Sequence, residues 1–145
     1  MTNQEKFEGI KTQIIEENEK QYGEEIRKQY GNKAIDKANQ KVKGMTRRQY
    51  EEAARLEAEI KEKLKAAFDL GDVQSESARE VCKLHKEWLG YYWPEGVYSI
   101  EAHKNLAQTY VDDSRFAAYY NAIVEGGAQF LRDAIWYYYE SLPEK

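Results

Sequence analysis

One cysteine and two histidines are the side chains best able to do chemistry in this chain, and they fall close together as Cys82, His85 and His103. Cys82 and His85 are one helical turn apart and could hold half of a metal site. A tetrahedral zinc takes about four ligands, and only His103 is left to add. A lone histidine in a helical bundle also raises haem, but Val81, Trp88 and Tyr92 share the stripe of His85, which suits a hydrogen-bonded core or pocket histidine. A Cys-His nucleophile pair needs an orientation that residues i and i+3 of one helix rarely reach. Cys82 therefore reads as a small packed hydrophobe, and no cofactor, no metal and no catalysis are expected. The enzyme alternative rests on His85 and His103 with nearby carboxylates.

The aromatics say more. The sequence has 12 Tyr and 3 Trp against 4 Phe, and a corner of Tyr91, Tyr92, Trp93, Pro94 and Tyr98 joins two helical patterns. A buried phenol or indole must find a polar partner. Flat amphipathic rings suit a cleft for a large, partly apolar ligand, and they suit equally well helix packing with polar ends at the surface. Composition leaves both readings open.

The elements that must position these residues are helices. In residues 46–142, apolar residues recur at i, i+3 and i+4, with no alternating strand pattern. Thr46 with Gln49 forms a capping box ahead of Tyr50, Ala53, Leu56, Ile60, Leu64, Ala67 and Phe68, and Gly71 ends that helix. Ser75 caps the next helix, which is expected to break at Gly90 and Trp93-Pro94. Ser99 caps a helix reaching about Asp112, with Ile100, His103, Leu106, Ala107 and Tyr110 inward. Asp113 or Ser114 caps another, carrying Phe116, Tyr119, Tyr120 and Ile123. Gly126-Gly127 precedes the last. The first 45 residues are weaker: Phe7, Ile10, Ile14 and Tyr22, then Ile26 and Tyr30, then Ala34, Ile35, Ala38 and Val42 make thin stripes. Fixing each residue costs about 1–2 kcal/mol of backbone entropy, so these helices must dock to be ordered. The fold class expected is all-α: a five-helix core over 46–145 preceded by a helical arm or lid over 1–45.

The 145 residues suit one ordinary core, and the net charge is −4. Arg27, Lys28, Lys33, Lys37, Lys41, Lys43, Arg47 and Arg48 make one segment basic. They are scattered round their helices, so they read as a solvated surface, with no direct nucleic-acid contact. No run reaches the ~18–20 apolar residues of a membrane span and no signal-peptide plan opens the chain, so a cytoplasmic protein is expected. The alternative to ligand binding is a protein-interaction module that uses the arm.

Four runs carry a resemblance: HKEWL from His85, the Ser99-Ile100-Glu101-Ala102-His103 helix start, TYVDDSRF from Thr109, and GGAQFLRDAIWYY from Gly126. Together they resemble the TipA-S antibiotic-recognition domain, the drug-sensing half of certain MerR-type transcription activators. The likeness runs from about Phe7 to Tyr139 and is densest after Val81. It implies a globin-like helical core whose N-terminal segment closes over bound drug. It also implies a ligand that is a thiazole-rich macrocyclic peptide antibiotic (a thiopeptide) or another bulky natural product. No DNA-binding winged helix or dimerising coiled coil is seen, so the chain resembles the free, drug-sequestering form and is expected to be a monomer unless fused to a dimerising region. The reactive cysteine of the family's best-studied member, five residues before the Tyr of the YVxDxRF motif, corresponds here to Asn105, which implies reversible binding. The ligand is then expected between the helix of His85 and Trp88 and the helix of Asn105 and Tyr110. Tyr91, Tyr92, Trp93 and Tyr98 would lie at one end, with the arm as lid.

Overall fold

The computed structural model describes residues 2–18, 32–93 and 96–142. Among them every regular element is helical: α1 (Asn3–Asn18), α2 (Asn32–Lys43), α3 (Arg47–Leu70), α4 (Glu76–Tyr92), α5 (Ile100–Asp112), α6 (Ser114–Ile123) and α7 (Gly127–Glu140). The all-α expectation holds, with the five expected helices after residue 46. Tyr22, Ile26, Tyr30 and the helix expected around them lie outside the described residues, as do the side chains of Ala34 and Ile35.

The chain forms two compact units, Met1–Ala53 with Leu89–Val97, and Ala54–Trp88 with Tyr98–Lys145. In the first, α1 and α2 pack together with little apolar surface. Phe7 is buried and meets the Tyr50 ring edge-on, while Ile10 is exposed. Lysines supply what the thin stripes lack. Lys11, 5 % exposed, sends its ammonium to the carbonyls of Lys43 at 2.6 Å and Met45 at 3.2 Å. There it satisfies acceptors that the end of α2 leaves open, with Glu8 3.1 Å from its Nζ. Lys41 does the same for α4, donating to the carbonyls of Gly90 and Trp93, each at 2.7 Å. Lys41 is therefore a helix fastener and departs from the solvated-surface expectation.

The second unit is built round Leu64, Val81, Cys82, Ala107, Leu131 and Ile135, with α7 packed on α5 and α6. Local chemistry sets its element boundaries, and that of α3 before it. The Thr46 hydroxyl accepts from the Gln49 N–H at 3.1 Å, while the Gln49 side chain accepts from the Thr46 N–H at 2.9 Å. Ser75, Ser99 and Asp113 each take an N–H of the helix that follows. Gly126 has φ +88, which side-chain-bearing residues rarely adopt. A Cβ on Gly127 would stand 2.7 Å from the Tyr120 carbonyl oxygen, so the chain turns from α6 into α7 only with glycine there.

Two expectations need correction. Helix α4 does not break at Gly90: the Trp93 N–H still reaches the Leu89 carbonyl at 2.8 Å. One glycine costs a helix only about 1 kcal/mol. Ile100, the first residue of α5, is 47 % exposed, because a first-turn side chain has no preceding turn to cover it. Tyr119 is also exposed; its hydroxyl donates to Glu57 at 2.7 Å and the Lys61 ammonium lies over its ring.

Candidate functional site

Both histidines sit at the centre of the second unit, where α4, α5 and α7 bring aromatic and imidazole groups into one line. His85 comes from α4 in register with Val81 and is 1 % exposed; His103, in the first turn of α5, is fully buried. Their Nδ1 and Nε2 atoms, respectively, are 2.8 Å apart. The other nitrogen of His85 meets the Tyr110 hydroxyl at 3.0 Å. The other nitrogen of His103 meets the Tyr139 hydroxyl at 2.5 Å, and that hydroxyl meets Tyr98 at 2.6 Å. The result is a five-member string, Tyr98–Tyr139–His103–His85–Tyr110.

Proton counting fixes its protonation. Each link needs one proton, and each neutral imidazole has one N–H and one acceptor. If Tyr98 donates inward, every link points toward Tyr110. If Tyr110 donates, every link points back toward Tyr98. Either polarity satisfies all four links with both histidines neutral. Burial favours this state, lowering the His85 pKa well below 6.5, with His103 adding to the shift. Burial first and the Lys86 charge second bring His103 down to about 4. Burial, then the hydrogen bond to Tyr98, pushes the Tyr139 hydroxyl up.

All four ring nitrogens are thus engaged, which leaves none to ligate a metal or to take a proton from a substrate. Cys82 stands outside the string, fully buried. Burial pushes its thiol up to about 12, so it holds no thiolate at neutral pH, and the thiolate is the nucleophile.

The expected ligand-binding residues therefore divide. His85 and Tyr110 are buried members of the string, Trp88 is half-buried beside the His85 ring, and Tyr98 is its outer member, 36 % exposed. Asn105 faces solvent on α5, as does neighbouring Glu101 one turn earlier. Tyr91, Tyr92 and Trp93 are half-buried at the end of α4, in the first unit. Tyr91 lines a cavity of about 460 Å³ with Gln40, Lys41, Gly44, Met45, Gln49 and Gly90. The sequence reading missed Tyr139 as a partner of the histidines, and missed the cavity altogether. The only signal for Tyr139 was the abundance of phenols that must find polar partners.

The sequence matches the model of the TipAS antibiotic-recognition domain over residues 22–138. The chain belongs to the TipAS family. Its globin-like helical fold agrees with the all-helical architecture found here. The match brings with it antibiotic recognition, since TipAS is a drug-recognition domain and not a catalytic family. No curated protein and no solved structure matches the chain. No helix of the described residues is long and apolar enough to cross a membrane. In this TipAS domain the string occupies the middle of the helical core, and the cavity lies at the junction of α2, α3 and α4.

Proposed function

We propose that this TipAS domain binds thiazole-rich macrocyclic peptide antibiotics and comparably bulky natural products reversibly. It would do so either as the effector part of a MerR-type regulator or as a free protein that sequesters the drug. The observation that carries the reversible mode is the state of Cys82: it is sealed in the core and its thiol stays protonated near neutral pH. Asn105 stands at the surface of α5 in the place of the reactive cysteine of the family's best-studied member. A dehydroalanine on a bound drug therefore meets an amide where an attacking sulfur would be.

Within this reading, Tyr98 and Asn105 are the ligand-contacting groups of the second unit, and Tyr91, Tyr92 and Trp93 are those of the first. His85, Trp88 and Tyr110 act from behind, holding the helices that carry them. Residues 1–45 serve as a lid, and hydrogen exchange there slows when ligand is added. The deciding experiment joins calorimetric titration of a thiopeptide with intact-mass measurement after incubation. Saturable binding with the protein mass unchanged is the expected result. A stable adduct overturns the reversible mode, and failure of every macrocycle tried to bind overturns the reading as a whole.

A further inference from the structure

We propose that the cavity at the junction of α2, α3 and α4 is a subsite for a flat segment rich in hydrogen-bond acceptors, such as consecutive carbonyls or azole nitrogens. This rests on the antibiotic-binding reading and gives it a place and a recognition chemistry.

The donors come first. An ammonium has three N–H groups, and the Gly90 and Trp93 carbonyls use two of those on Lys41. Among the described residues no carboxylate pairs with Lys41, so its charge and remaining N–H favour an acceptor brought into the cavity it lines. Gln49 has given its oxygen to the Thr46 N–H, which leaves its NH₂ to donate. The Gln40 amide and the Tyr91 hydroxyl also have no partner among the described residues. Four polar groups with donor capacity thus converge on a volume within the range of small-ligand sites. The buried Met45 side chain and the Tyr91 ring add soft, flat surface that suits a planar group.

Gly90 is the second, independent observation. It lies inside α4, where glycine weakens a helix relative to alanine, and beyond its chain neighbours and the α4 backbone no described atom stands within 4 Å of where its Cβ would be. Packing does not require glycine there. Gly90 lines the cavity and leaves open space where a side chain would stand, so glycine there keeps that wall of the cavity clear at a cost to the helix.

Two variants of the full chain test this against a thiopeptide macrocycle by calorimetry, with thermal melting alongside. Gly90→Leu puts a bulky side chain on the cavity wall while improving the helix. Gln49→Glu keeps the capping acceptor, since Glu and Gln both serve in a capping box, but replaces the NH₂ donor with negative charge. Both are expected to weaken binding at least tenfold with a Tm no lower than the parent's. Parent-like affinity in either folded variant overturns the subsite and leaves the antibiotic-binding reading standing. A parent that binds no macrocycle removes both. If Gly90→Leu fails to fold, Gln49→Glu decides alone.

Discussion

His85 Nδ1 and His103 Nε2 face each other at 2.8 Å, with ring planes 7° apart and centroids separated by 4.9 Å. That centroid distance is close to the N···N distance plus two ring radii. The imidazoles therefore meet edge to edge in nearly one plane, the geometry of a straight N–H···N bond, and are not stacked face to face. One link of this kind accepts a single proton, so the two rings cannot both be cationic without setting N–H against N–H.

Acid should therefore destabilise the domain as pH falls below about 6.5. An unfolded histidine has a pKa near 6.5, while both folded values are lower, so below 6.5 the unfolded chain binds more protons. Stability is fully present above about pH 6.5 and falls as pH drops, for His103 down to about pH 4. Each histidine lowers the folding constant by up to about tenfold per pH unit in that window. Asp113, held near 2 by Arg115, acts only at lower pH. Urea melts between pH 7.5 and 4.5 should show this slope, and a flat profile would mean that the histidines are protonated in the fold.

Tyr139→Phe removes the one hydroxyl that serves two links of the string. It leaves a buried His103 nitrogen unsatisfied, at about 1–3 kcal/mol. Tyr98→Phe removes a single link at a partly exposed end and should cost about 0.5–1.5 kcal/mol. Denaturant melts of the two variants should rank in that order, and equal losses would mean that the string has no buried inner part.

Gly127→Ala should be the most damaging of the glycine-to-alanine changes in the second unit. Its Cβ would meet a backbone oxygen at 2.7 Å, which cannot rotate away, and overpacking of this kind costs about 1–3 kcal/mol. Gly71→Ala, where a Cβ meets nothing within 4 Å, carries only the strain of its positive φ. The pair of melting temperatures measures the difference.

Covalent capture should be recoverable. Asn105→Cys puts a thiol on the exposed face of α5, where no burial raises its pKa. Incubation with a dehydroalanine-bearing thiopeptide is expected to add the drug mass to this variant and none to the parent. An unmodified variant that still binds would show that the drug's alkene lies away from α5.

Much of the fold could be read from the sequence because its signals are local. Thr46, Ser75, Ser99 and Asp113 each act within three residues, so their caps are visible as short motifs. The resemblance was carried the same way, by contiguous runs such as TYVDDSRF. The string was not legible, because its links join residues 18 to 41 positions apart. No spacing rule says that His103 should find Tyr139. Lys11 and Lys41 were missed for a different reason: a lysine on a weak helix usually faces water, and only the tertiary fold brings another helix's carbonyl end within reach. Glycine near a helix end commonly marks a stop; here Lys41 holds the carbonyls of Gly90 and Trp93, and the helix continues to Tyr92.

The Lys11 fastener makes the first helix measurable. Its amine is sealed between Phe7 and the end of α2, so an acylating reagent reaches it only while α1 is lifted. The rate at which Lys11 is acetylated, set against that of an exposed lysine such as Lys6, then reports the fraction of time α1 spends undocked. One mass spectrum per time point would read that equilibrium, and repeating the series with an antibiotic would show how far the drug shifts it.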